Sequence, residues 1–223
     1  MQRLILLMAQ RSTNMEWRNR RTVNVIRRGV VFVVAPVAFS CAVFAQSVET
    51  LPADVRCPSV LGIGLDTDVV FCDVLLQQEA GLGSMVLLPA RQGEATLSFD
   101  LHNRHTYSEE ETLAGNAYAS YTAEVAVATA DGEVLSRRFI RSEFRSASDL
   151  VDRVSGGAGP QGVKAIAPTV TERVFVSVPS QLEEVFIVGQ GLSVVRRESR
   201  DEANTLGGPV AIVSNVLIEF QPR

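Results

Sequence analysis

The chain is poor in the residues on which most enzyme chemistry depends. Its 223 residues include two histidines, three cysteines and one tryptophan, and aromatic residues make up 6%. There is no G-x-S-x-G segment, so the strained elbow that presents a nucleophilic serine is missing. There is no H-E-x-x-H segment, so no helix sets two imidazoles and a glutamate around one zinc ion. The usual C-x-x-C thiol-exchange pair is also absent. Ser155–Lys164 reads SGGAGPQGVK, but Val163 separates Gly162 from Lys164 and Ala165 follows. A phosphate loop needs that glycine next to the lysine, with a hydroxyl residue after it. A sugar-binding face would have to be built from Tyr107, Tyr118 and Tyr121, a thin supply.

The N-terminus, by contrast, carries a definite pattern. From Met15, the arginines Arg18, Arg20, Arg21, Arg27 and Arg28 lead into an almost wholly apolar run, Gly29–Phe44, with small residues at Val43 and Ala45. This is the three-part form of an export signal. The expectation is a signal peptide over residues 1–45, cleaved after Ala45, with residues 1–14 an upstream extension and Met15 the true start. The run of about 16 residues is short of the roughly 20 that span a bilayer, and Pro36 interrupts it. Two alternatives would give membrane contact: retention of the leader, or lipidation at Cys41. The segment AFSC at 38–41 resembles a bacterial lipoprotein box, although Phe39 stands where a small residue is usual. The expected location is extracytoplasmic: periplasm, cell surface or medium.

Removing the leader takes away seven arginines and Glu16, leaving 14 basic and 24 acidic residues, a net charge of −10. Affinity for nucleic acid comes mostly from lysine and arginine at phosphates, so nucleic-acid binding is not expected. Lys164 is the only lysine; the skew toward arginine reads as the base composition of a GC-rich bacterial genome. Cys57 and Cys72 remain, an even number in an exported chain, which predicts a disulfide. Closing a loop of about 15 residues contributes about 3 kcal/mol in the chain-entropy account. Two buried free thiols are the alternative.

The dominant period is two. Leu97, Phe99 and Leu101 alternate with Thr96, Ser98 and Asp100; Tyr121, Ala123, Val125 and Val127 share a face, as do Val174, Val176 and Val178. Val210, Ile212, Val216, Ile218 and Phe220 read as one further face. Such alternation marks half-buried strands. Asp131-Gly132 between two of them marks a hairpin. One short helix is expected near 146–155, where Ser146 and Asp149 form a capping box, Leu150, Val151 and Val154 a stripe, and Gly156-Gly157 a stop. The expected fold is all-β, an antiparallel β-sandwich, with an exposed lead-in at 46–56 and one domain over 57–223. The likeness to immunoglobulin or fibronectin-III domains is one of architecture, since the Cys…Trp…Cys signature is absent.

Three clusters are candidate sites. The stretch FDLHNRH holds His102 and His105. With Asp100, or with the acids Glu109–Glu111, they are the candidate metal ligands, and a metal-dependent envelope enzyme is the alternative reading of function. Strand geometry argues against it: His102 is expected to point outward with Asp100, and His105 leaves the opposite face. One zinc ion needs both at about 2.1 Å. Asp66, Asp68 and Asp73 are the acids available to calcium. Cofactors are otherwise not expected. In SRRFIRSEFR, Arg137, Arg141 and Arg145 share one strand face, with Val134, Ile140 and Phe144 on the core side. The stripe suits a protein or an anionic envelope component, or else cross-strand pairs with Glu124 and its neighbours. The functional expectation is an exported bacterial β-sandwich acting as a non-enzymatic binding or structural module of the cell envelope.

Overall fold

Alternation dictates the layers. Leu97, Phe99 and Leu101 are buried between two β-sheets together with Val174, Val176 and Val178, and they meet Ala123, Val125 and Val127 from the other sheet. The computed structural model describes residues 47–107, 109–158, 164–166, 170–197, 199–202 and 205–223. The signal peptide read at 1–45, with Met15, Cys41 and Ala45, lies outside them, as do residues 159–163 of the glycine-rich stretch.

In chain order the strands are β1 (Glu49–Pro52), β2 (Asp54–Arg56), β3 (Val60–Ile63), β4 (Val70–Leu75) and β5 (Ser84–Leu87). Next come β6 (Arg91–Asn103), β7 (Thr106–Tyr107), β8 (Ala119–Ala128), β9 (Val134–Phe144) and β10 (Arg153–Ala158). The last are β11 (Lys164–Ile166), β12 (Thr171–Val178), β13 (Glu184–Arg196), β14 (Arg200–Glu202) and β15 (Pro209–Pro222). One six-stranded sheet runs β12-β6-β15-β4-β3, with β1 also on β15. The other runs β2-β5-β13-β8-β9, with β14 also on β13. These two sheets pack face to face as an antiparallel β-sandwich, and β10-β11-β7 form a small third sheet. Immunoglobulin domains share seven to nine strands between two sheets. Six strands in each sheet here keep the likeness to layered architecture.

The lead-in is solvent-exposed at most positions, yet it is paired. Leu51 pairs with Ile218 of β15, and two residues past the end of β1 Asp54 opens β2 against Leu87 of β5. The chain changes sheets at Ala53, whose N–H donates to Val216 O at 2.9 Å. Cys57 and Cys72 form a disulfide, with Cα atoms 5.8 Å apart. The sheets also meet where β4 runs into β13. Leu76 bridges Gly189 in parallel, and Gln77 N donates to Gly189 O at 3.2 Å. Only a glycine fits there, because a Cβ would lie 2.3 Å from Val210 Cγ2 and 2.9 Å from Leu75 O.

Four details depart from the simple pattern. Along β15 the core takes Val210, then Ala211 and Val213, and after them Val216, Ile218 and Phe220, so the alternation changes phase partway. A bulge lies between Ser214 and Leu217, and Asn215 sits in the left-handed region at φ 48°. An extra residue in one strand exchanges the two faces beyond it. Ile212, read as sharing the inward face, instead packs outward on Phe71 and Val154. Val134 is exposed rather than in the core, because the β8–β9 register shifts between Val127 and Ala128.

The remaining two details concern helices. At 146–155 the capped element is a single 3-10 turn, Ala147–Asp149, where Asp149 accepts from Ser146 N at 2.9 Å. Leu150 then turns extended and β10 begins at Arg153. Long-range partners account for this: Asp152 accepts from the Asp66 and Thr67 amides, both at 3.1 Å, while Leu150 packs on Phe144. These contacts outweigh a three-residue apolar stripe, as tertiary packing commonly does. Among the described residues the α-helix is α1 (Glu109–Leu113), whose acids belong to the candidate metal set. Gly115, at φ 73°, ends it.

Candidate functional site

The histidines come first because they are the scarcest reactive groups. His102 lies in β6 between Thr171 of β12 and Ile212 of β15. It is on the same side of the sheet as Asp100, as alternation requires, but it is buried, at 3% exposed. A second apolar layer of Phe71, Val154 and Ile212, joined by Leu61 and Val69, lies on that outer face. The imidazole edge meets the Phe71 ring at 5.6 Å. Nε2 is 2.7 Å from Ser214 Oγ, and Nδ1 is 3.1 Å from Thr171 Oγ1. Burial lowers its pKa to about 4, against smaller raising effects from Asp100 and a hydrogen bond to the Val170 backbone.

His105 goes elsewhere. Its Nε2 is 3.0 Å from Ser142 Oγ of β9, and its ring lies 4.3 Å from Tyr121 and 5.6 Å from Phe144. Asn103 Nδ2 donates to the same serine oxygen. This buried polar node ties β6 to the second sheet. Burial, then the charge of Arg196, lowers the His105 pKa to about 4, with Asp149 acting in the raising direction. Asp100 is engaged by Arg173 Nη1 and Asn215 Nδ2, each at 3.0 Å. His102, His105 and Asp100 thus have separate partners. Among the described residues no three His, Cys, Asp or Glu side chains are grouped closely enough to hold a metal ion.

The three aspartates are also dispersed. Asp66 and Asp68 lie exposed in the turn that follows β3. Asp73 is buried in β4, where it accepts from Ser59 Oγ at 2.9 Å and pairs with Arg104 Nε at 2.7 Å.

Arg137 and Arg141 lie where their spacing places them, on the outward face of β9 opposite Ile140, Ser142 and Phe144, and Arg145 follows the last residue of the strand. Arg137 pairs with Glu124 at 2.9 Å, and Arg145 with Glu143 at 2.7 Å. Arg141 makes no ion pair among the described residues. The stripe reading overlooked two exposed aromatic residues: Phe139, 61% exposed, among the arginines of β9, and Phe175, 60% exposed, on the outward phase of β12 in the other sheet. Both were legible, since each falls on the polar phase of its strand. β9 and β12 are edge strands of opposite sheets. Arg138 Nη2 spans them by donating to Phe175 O at 3.2 Å, and the Arg173 guanidinium lies 6.0 Å from the Phe175 ring centre.

No family model matches the chain. No curated protein matches it either. Among solved structures it is similar, at 14% identity, to a chain of the infectious bursal disease virus VP2 subviral particle. The match covers 79% of this chain and 42% of that one, so the chain spans less than half of that protein's length. The TM-score is 0.17, a superposition too poor for fold or function to pass from one to the other.

Proposed function

We propose that this chain is an exported, non-enzymatic binding module of a bacterial cell envelope, and that its contact face is formed by β9 and β12. The observation that carries the reading is the exposed Phe139 ring among the arginines of the edge strand β9, with a second exposed ring, Phe175, on the adjoining edge strand of the other sheet. A single exposed aromatic residue is ordinary, but large exposed rings on two adjoining sheet edges favour contact with another molecule. Aromatic residues and arginine are also the types that dominate binding energy at interfaces. With Arg137 and Arg145 balanced by Glu124 and Glu143, Arg141 leaves the β9 face with a positive charge on a chain whose mature part is acidic. Its partner is accordingly a protein or another envelope component carrying acidic groups. Export rests on the leader, with Gln46 the first residue after cleavage.

Cell fractionation of a double variant, Phe139→Ser with Phe175→Ser, tests the reading. The wild type is expected in the envelope fraction and the variant, melting as the wild type does, in the soluble extracytoplasmic fraction. Identical distribution of the two proteins contradicts it.

A further inference from the structure

We propose that the cleft beside Arg91 is a binding site for a small anion, a carboxylate or phosphate headgroup, held by the Arg91 and Arg223 guanidinium groups. Arg91 opens β6 and is 4% exposed. Its terminal nitrogens donate to three neutral carbonyls: Pro89 O at 3.4 Å, Pro179 O at 2.6 Å and Leu182 O at 2.8 Å. Its buried Nε has no hydrogen-bond partner. No aspartate or glutamate among the described residues forms an ion pair with it. A buried charge is ordinarily paired with an opposite one, and a buried donor ordinarily has an acceptor.

A second cation is fixed beside the first. Arg223 Nε donates to Arg91 O at 2.9 Å, and this exposed residue also lines the cleft. Burial, and then repulsion from Arg223, lower the Arg91 pKa. Two like charges facing one cleft are unfavourable in the empty protein, and an anion reverses the sign of that interaction. The cleft has a volume of about 500 Å³, and Ser180, Gln181 and Glu183 also line it. Ser180 and Gln181 add neutral donors. Glu183 carries the same charge as the ligand and favours a compact headgroup over an extended polyanion.

Calorimetric titration with inorganic phosphate, and separately with acetate, tests the assignment at matched ionic strength. Saturable binding of either is expected for the wild type. Arg223→Gln is expected to weaken it roughly tenfold or more, because that side chain is exposed and its loss leaves the fold intact. Arg200→Gln, exposed on β14 and away from the cleft, is expected to bind as the wild type does. Absence of saturable heat with both anions, or equal binding by the wild type and Arg223→Gln, overturns the proposal.

Discussion

His102 and His105 stand three residues apart in the chain, yet each is hydrogen-bonded to a different serine. His102 Nε2 is 2.7 Å from Ser214 Oγ under the outer apolar layer, and His105 Nε2 is 3.0 Å from Ser142 Oγ of the second sheet. The first bond joins neighbouring strands of one sheet, and the second joins the two layers. Both imidazoles are buried, and in both burial is the largest cause of a pKa lowered to about 4.

This arrangement predicts a pH dependence of stability. A histidine whose folded pKa lies below its unfolded value binds its proton more readily when unfolded. The stabilisation is therefore complete above pH about 6.5 and is lost as pH falls toward the folded value of about 4. Each histidine contributes a slope of about 1.4 kcal/mol per pH unit within that window. Denaturant unfolding between pH 7.5 and 4.5 measures it. His102→Gln should flatten the curve by about half of the histidine contribution. An equally steep curve in that variant would show that His102 is not one of the responsible groups.

The Cys57–Cys72 bond closes a loop with a sequence separation of 15 and fastens the segment after β2 to β4. A closed loop of that length is worth about 3 kcal/mol. Reduction, or Cys57→Ser with Cys72→Ser, should lower the unfolding free energy by about that amount while the far-ultraviolet circular dichroism stays that of a β-protein. An unchanged unfolding midpoint would remove the bond from the account of stability.

Gly189 marks the point where β13 meets the end of β4. Gly189→Ala forces a methyl group against Val210 Cγ2 and the Leu75 carbonyl. Overpacking of this kind costs roughly 1–3 kcal/mol. Gly191 has nothing within 4 Å of an added Cβ, so Gly191→Ala serves as the matched control. Chemical denaturation should separate the two; equal stabilities would mean that the closure at Gly189 is looser than its distances indicate.

The sequence pattern identified whole strands where one uninterrupted period covered them. Leu97, Phe99 and Leu101 face the core as their alternation required. The Asp131-Gly132 hairpin forms, with Gly132 at φ 90°. The pattern failed where a single residue resets it, as at Asn215, because a bulge leaves no trace in a hydrophobicity count. It also failed at His102, where alternation gave the correct face but not what covers that face: Phe71 and Val154 come from 31 residues earlier and 52 later in the chain. The capping residues at 146–149 were recognisable, while the bonds from Asp152 back to Asp66 and Thr67 that draw the next residues into a strand were not. Of the proposed contact face, the arginines stood out by their charge. That the strands carrying Phe139 and Phe175 adjoin emerged only once β9 and β12 were placed at the edges of the two sheets.

The contact face is tested most directly by site-specific photo-crosslinking in intact cells. A photoreactive residue at position 139 or 175 should give the same discrete adduct, and one at Leu206, also exposed, should give none. Adducts from Leu206 alone, or indistinguishable patterns from all three positions, would contradict the assignment of β9 and β12 as the binding surface.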